Sequence, residues 1–169
     1  HLKQVLEIVR ALRQKTDVPI ILFSYYNPIL AVSAAIDFFK EASAAGVDGL
    51  LIVDCPFEES HEVRQKCVEH QLVFIHVVTP STSMERLELI RSHDKGFLYY
   101  ACRKGTTGVR SVLPDDFSKK IKEIKSITQL PVVAGFGISD CAVAQQVLQE
   151  ADGVVVGSLF VKALAEGMS

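Results

Sequence analysis

PVVAGFGISDCAVAQQVLQEADGVVVGS, Pro131 to Ser158, contains two strand-to-turn-to-helix passages in succession. Pro131 to Ala134 and Gly153 to Val156 are short apolar runs with no polar alternation, as expected of strands covered on both faces. The first run opens into Gly135-Phe136-Gly137-Ile138-Ser139 and the second into Gly157-Ser158, while Ser139 to Glu150 between them reads as a helix. A strand, a crossover helix and a second strand running the same way are the unit of a parallel α/β fold.

Upstream the same rhythm repeats. Strands are predicted at Pro19 to Ser24, Gly49 to Val53, Val73 to Val77 and Gly96 to Tyr100. Helices are predicted at about Leu30 to Ala45, Glu58 to His70, Ser83 to His93 and Asp115 to Thr128, with a further one from Ser158. Strand starts at 19, 49, 73, 96, 131 and 153 are spaced by one strand plus one crossover helix, so all six strands are expected to be parallel. Spacing alone leaves a barrel and a doubly wound sheet both open. Neither a linker nor a low-complexity run interrupts the chain, which reads as a single domain over 1–169. At the opening, Leu2, Val5, Leu6, Val9 and Leu12 recur at helical spacing. His1-Leu2 already lies inside that pattern with no capping residue before it, so the chain is expected to begin within a longer, N-terminally truncated fold.

With 169 residues, 49% hydrophobic and 22% charged, the chain is long enough to bury about 70% of its unfolded surface, which excludes disorder, collagen and a disulfide scaffold. Its 18 basic and 20 acidic residues are spread over the length, leaving no basic stripe for nucleic acid and no polybasic patch for a membrane surface. Apolar stretches such as Gly49 to Val53 fall far short of the roughly 20 residues that span a bilayer. Cys55, Cys67, Cys102 and Cys141 form no C-x-x-C pair and read as buried or half-buried thiols of a reducing cytoplasm. His1, His61, His70, His76 and His93 show no H-E-x-x-H spacing, and no metal site is expected.

In parallel α/β folds, chemistry sits at the carboxyl ends of the strands. The loops at Gly135 to Ser139 and Gly157-Ser158 read as a phosphate cradle, because glycines bring backbone N–H groups close to an anion and a helix N-terminus carries about half a positive charge. The competing reading makes them tight turns with Ser139 and Ser158 as ordinary N-caps. Consecutive placement favours the cradle, since eight-stranded barrels commonly bind phosphate between the loops after strands seven and eight, which would make these six strands the third to the eighth. No dinucleotide or P-loop fingerprint is complete. The longest connection, Ala101 to Pro114, carries Arg103 to Arg110 and reads as a closing lid or as a solvated loop. Tyr25 and Tyr99, at the ends of two strands, read as pocket walls for a flat aromatic ligand or as core residues.

Six motifs in order, Ser24-Tyr25-Tyr26-Asn27-Pro28, Asp54-Cys55-Pro56-Phe57-Glu58-Glu59-Ser60, Thr79-Pro80-Ser81-Thr82, Arg103-Lys104-Gly105-Thr106-Thr107-Gly108, Gly135 to Ser139 and Val156-Gly157-Ser158, resemble the tryptophan synthase α subunit family along the entire chain. The departures are Cys102, where the family tends to have serine, and Thr106, where it usually has valine. The resemblance implies a (β/α)8 TIM barrel, with about six of the eight strands in this chain. The implied reaction is the retro-aldol cleavage of indole-3-glycerol phosphate to indole and glyceraldehyde 3-phosphate in tryptophan biosynthesis. It implies a β-subunit partner in an α2β2 complex, with pyridoxal phosphate belonging to that partner and no cofactor here, in the cytoplasm or a plastid.

Carried over by motif, Gly108, Gly137, Gly157 and Ser158 hold the substrate phosphate, and Phe23, Tyr25, Tyr99 and Phe136 line the indole pocket. Arg103 and Thr107 serve loop closure, and Asn27, Asp54 and Pro56 face the partner. Asp54 has an equally supported role as the cap of the helix that starts near Glu58. The family's catalytic glutamate and aspartate come from a strand and loop that the resemblance places ahead of His1. No carboxylate here matches them, so no catalytic residue is named. A chain without these groups is expected to be nearly inactive, since each contributes roughly 10²- to 10⁴-fold, and to be unstable alone with two exposed sheet edges. The competing functions are another phosphate-binding barrel, such as a sugar-phosphate isomerase or epimerase, and a non-catalytic partner-binding module.

Overall fold

Short strands buried on both faces need apolar side chains at successive positions, and the chain forms such strands at six places, each preceded by helix. The computed structural model describes residues 2–33, 36–91, 95–102, 113–135, 137–138 and 140–167. In order the elements are α1 (Leu2–Arg13), β1 (Ile21–Ser24), α2 (Tyr26–Ser33), α3 (Phe38–Ala45), β2 (Gly49–Ile52), a 3-10 turn (Phe57–Glu59), α4 (His61–Glu69) and β3 (Val73–Val78). They continue with α5 (Met84–Arg91), β4 (Leu98–Ala101), α6 (Phe117–Thr128), β5 (Val132–Gly135), α7 (Cys141–Leu148), β6 (Gly153–Val155) and α8 (Ser158–Ala165). All six strands predicted from the apolar runs are present within two residues of their expected bounds.

The chain divides into two compact units, His1–His76 and Val77–Ser169. In the first, β1 pairs in parallel with β2 from Ile21 against Gly49 to Ser24 against Ile52, and β2 pairs in parallel with β3. Its core gathers Leu6 and Val9 of α1, Phe38 and Ala42 of α3, Leu50 of β2 and Val63 of α4. Phe74 and the buried His76 project from β3, their rings 4.7 Å apart edge to face, and Phe57 lies 5.4 Å from the imidazole. In the second unit β4, β5 and β6 are parallel, from Leu98 against Val132 and from Val133 against Gly153. Its buried side chains include Leu98, Tyr100, Phe117, Ile121, Val132 and Val147.

Two predicted helices differ from what forms. Leu30 to Ala45 is not one helix but α2 and α3, because Asp37 adopts an extended backbone and its side chain accepts from the Lys40 N–H at 3.2 Å, starting a new helix that buries Phe38 and Phe39. The helix expected from Glu58 is a 3-10 turn followed by α4, broken at the fully buried Ser60, whose hydroxyl donates to the Phe57 carbonyl at 2.7 Å. Cys55, Cys67 and Cys102 are buried, but Cys141 is exposed, because it opens α7 on the face turned from Val143 and Val147.

Among the described residues the same clamp appears in each unit. Asp48, just before β2, accepts from the Ile20 N–H at 2.7 Å and from Arg13 at the end of α1, and Arg13 also donates to the carbonyls of Gly46 (2.8 Å) and Val18 (2.7 Å). Asp152, just before β6, accepts from the Val132 N–H at 2.7 Å and from Lys125 at 2.8 Å, and Lys125 also donates to the Glu150 carbonyl at 3.0 Å. In both, the aspartate N–H donates back to the neighbouring chain, Asp48 to Ile20 and Asp152 to Val132. The two clamps align both strand pairs identically, with Ile21 opposite Gly49 and Val133 opposite Gly153. The signal in the sequence is an Asp-Gly pair directly before the strand, at 48–49 and 152–153.

Candidate functional site

The two glycine-bearing loops belong to one unit and follow adjacent strands, so parallel pairing of β5 with β6 brings their carboxyl ends side by side. Gly137 adopts φ +69°, a left-handed conformation that a side chain disfavours. Gly157 is the N-cap of α8 and Ser158 its first helical residue, both exposed, and no side chain caps this helix. Ser158 is therefore not an N-cap, and α7 is capped by Asp140, which accepts from the Val143 N–H at 3.0 Å. What remains after β6 is a helix N-terminus whose N-cap, Gly157, supplies no side-chain bond, an arrangement that suits an anion.

Beside these loops stands Tyr99 of β4. It pairs in register with Val133, and its side chain leans along β5 so that the hydroxyl end lies over Gly135. A Cβ at Gly135 would lie inside contact distance of the Tyr99 hydroxyl and 3.0 Å from its ring carbon Cε2. Gly135 is thus the seat of the Tyr99 ring, a role the motif alone did not reveal; the available signal was a glycine two residues beyond the partner of a strand aromatic. Burial, then the neighbouring Cys102, holds the Tyr99 hydroxyl above the usual phenol range, so it stays protonated. The Cys102 N–H donates to the Gly135 carbonyl at 3.3 Å, carrying the strand pairing one residue past β4.

In the first unit Phe23, on β1, and Tyr25, between β1 and α2, are 58% and 62% exposed, so neither is a core residue of its unit. Asn27 follows in the first turn of α2 and is exposed, as are Asp54 and Pro56 in the segment after β2. Asp54 does not cap the turn that begins at Phe57, where Pro56 holds the N-cap position without a side-chain bond. Its carboxylate Oδ1 accepts instead from the Tyr26 N–H at 2.7 Å, capping α2 from the neighbouring strand, and this brings Asp54 to Tyr25 and Asn27. Arg64 braces the following turn, its guanidinium 4.4 Å from the Phe57 ring centroid and its Nε donating to Ser60 Oγ at 3.0 Å. Burial pushes the Cys67 thiol up to about 12 and, with Glu59 and Asp54, raises that of Cys55, so both are unreactive thiols at neutral pH.

Arg103, Thr107, Gly108 and Phe136 lie outside the described residues. Among the described residues no group of three His, Cys, Asp or Glu side chains is placed to hold a metal ion, and no helix is long and apolar enough to cross a membrane.

Comparison with known proteins finds tryptophan synthase alpha chains among both curated relatives and solved structures. The chain is 49% identical over 168 residues to a tryptophan synthase alpha chain of Coxiella burnetii, covering 99% of this chain and 65% of that protein. It is 47% identical over 169 residues to one of Chlamydia caviae, covering 98% and 65%. Less than two thirds of the length of these relatives is therefore spanned by the chain. A solved tryptophan synthase a2b2 complex of Pyrococcus furiosus superposes with a TM-score of 0.86 at 35% identity, covering 98% of this chain and 67% of that one. A Mycobacterium tuberculosis tryptophan synthase gives 0.87 at 34%, covering 99% and 63%. The fold class is accordingly the α/β class of the TIM-barrel tryptophan synthase alpha structures, with six strands in this chain. The parallel βα repeat, the paired glycine loops and the Tyr-x-Asn and Asp-x-Pro segments all agree with the match over residues 1–169, and the chain belongs to the tryptophan synthase alpha chain family.

Proposed function

We propose that this chain carries the substrate-binding part of a tryptophan synthase alpha chain, a carbon–carbon lyase acting on indole-3-glycerol phosphate. The cleavage breaks the bond between indole C3 and the glycerol carbon. A proton goes to C3, the glycerol hydroxyl loses one, and its electrons form the aldehyde of glyceraldehyde 3-phosphate, leaving indole. The observation that carries the reading is the pairing, within one unit, of an uncapped α8 N-terminus at Gly157-Ser158 and the left-handed Gly137 with the Tyr99 ring seated over Gly135. An anion-accepting end beside an aromatic face suits a phosphate ester of an aromatic ring.

In this reading Gly137, Gly157 and Ser158, with Gly108, donate N–H groups to the phosphate. Phe23, Tyr25, Tyr99 and Phe136 are the residues assigned to the indole pocket, and Arg103 and Thr107 serve loop closure. Asn27, Asp54 and Pro56 face a β subunit in an α2β2 assembly, and pyridoxal phosphate belongs to that subunit. The chain, 1–169, acts as one barrel domain of the cytoplasm or a plastid. No carboxylate in it matches the family's two acid/base groups, and Asp54 is engaged by Tyr26; the polypeptide by itself binds substrate without turning it over.

Calorimetric titration of the 169-residue chain with indole-propanol phosphate and with glycerol phosphate tests this reading. Burying the indole ring against aromatic walls favours the indole compound by about 2 kcal/mol or more, roughly thirtyfold in affinity. Equal affinities would favour the sugar-phosphate isomerase or epimerase reading. Indole released from indole-3-glycerol phosphate by the purified chain would refute the claim of inactivity.

A further inference from the structure

We infer that Asp54 is a positioning residue whose carboxylate, fastened to the Tyr26 N–H, sets the placement of Tyr25 and Asn27 together and so links the aromatic wall to the partner-facing segment. The inference rests on the functional reading above for the roles of Tyr25 and Asn27, but the bond itself does not.

The β1–β2 ladder ends at Ser24 opposite Ile52, and the Val53 N–H still donates to the Ser24 carbonyl at 3.0 Å. One residue further on, the side chain of Asp54 takes over, accepting from the Tyr26 N–H at 2.7 Å across a sequence separation of 28. Tyr26 is the first residue of α2, which has no acidic residue in its first turn, so Asp54 supplies both the missing acceptor and the negative charge that suits a helix N-terminus. The N-cap position of α2 is held by Tyr25, a residue that does not cap locally, and the Ser24 hydroxyl before it donates to the Tyr25 carbonyl at 2.9 Å. Tyr26 also packs against the first unit's core, so its body and its N–H are both fixed while its two neighbours project outward.

The second unit provides a contrast. Its β5–β6 pair has the same register, with Gly135 opposite Val155 where Phe23 stands opposite Leu51, and the position three residues on is Ser158 rather than aspartate. There the helix after the first strand of the pair, α7, is capped by its own Asp140 from within the same loop. In the first unit α2, the helix after the first strand, takes its acceptor from Asp54 on the segment after the second strand, so the bond ties two segments together. A load applied to Asp54 or Pro56 is therefore transmitted through one charge-assisted hydrogen bond to Tyr25 and Asn27.

The first test is the amide proton of Tyr26 in the NMR spectrum of the 169-residue chain. Its protection against hydrogen exchange is expected to fall in Asp54→Ala, which removes the acceptor, and to be largely kept in Asp54→Asn, which retains it. Asp54→Ala weakens indole-propanol phosphate and a tryptophan synthase β subunit about tenfold each while leaving inorganic phosphate affinity unchanged, and Asp54→Asn recovers most of both losses. A Tyr26 amide equally protected in Asp54→Ala, or Asp54→Ala with both affinities intact, overturns the inference. Equal loss of inorganic phosphate binding also overturns it, because general destabilisation would then account for the effect. A wild-type chain without preference for the indole compound would refute the functional reading, while the exchange of the Tyr26 amide would still decide the role of Asp54.

Discussion

Tyr99 and Gly135 stand on adjacent parallel strands two residues out of register, so the phenol can reach across only where its neighbour has no side chain. Gly135→Ala forces either the ring or the strand to move. The expected cost is about 1–3 kcal/mol, read as a lower urea midpoint at unchanged slope, with weaker indole-propanol phosphate binding. Tyr99→Ala in the same chain removes the obstructing ring, so the double variant loses less than the two single losses combined; strict additivity would show that the pair is not in contact. At the thiols the distinction is exposure. Cys141 is open to solvent and reacts first with iodoacetamide at neutral pH, ahead of the buried Cys55, Cys67 and Cys102.

Each unit fastens a helix end, a strand start and the next strand's aspartate with one cation, but the cations differ. Arg13 reaches two carbonyls within 2.8 Å and Asp48 through a largely buried fork, whereas Lys125 is a half-exposed point charge. Arg13→Ala is therefore expected to cost about 1–3 kcal/mol and Lys125→Ala under about 1 kcal/mol, compared by denaturant melts; the reverse order would contradict the clamp geometry. Asp152 also predicts a pH effect. Burial pushes its carboxyl up, but bonding to Lys125 and to the Val132 N–H outweighs this and holds it below the usual carboxylate range. Its folded value lies below its unfolded one, so its stabilisation is complete above about pH 4 and is lost as pH falls through the folded value. Asp152→Asn should flatten that part of the acid limb of the urea midpoint against pH, and an unchanged limb would argue against the pairing.

Each unit leaves a helix with apolar side chains in water. Val5, Ile8 and Leu12 are exposed along α1, and Phe160 and Leu164 on α8 are 64% and 76% exposed. Such surface promotes association, and the sedimentation coefficient of the chain is expected to rise with concentration through the micromolar range. Phe160→Lys with Leu164→Lys should suppress that rise while changing stability by less than about 0.5 kcal/mol, because both side chains are already solvated. A concentration-independent monomer would refute this expectation.

By itself the sequence determined the six parallel strands, the alternation of strand with helix, the two glycine loops and the family, because each depends on runs and motifs a few residues long. The break at Asp37 escaped it because the apolar spacing continues through the cap and only burial of Phe38 and Phe39 selects the new start. Asp54 was legible as important, but the helix it caps was not, since its partner Tyr26 lies 28 positions away and only the β1–β2 register brings the two together. The seat of Tyr99 on Gly135 and the twin aspartate clamps were decided in the same way, by strand pairing between distant segments. Local chemistry specifies which elements form, but which side chain meets which backbone group depends on register, and register is settled only when the strands pack.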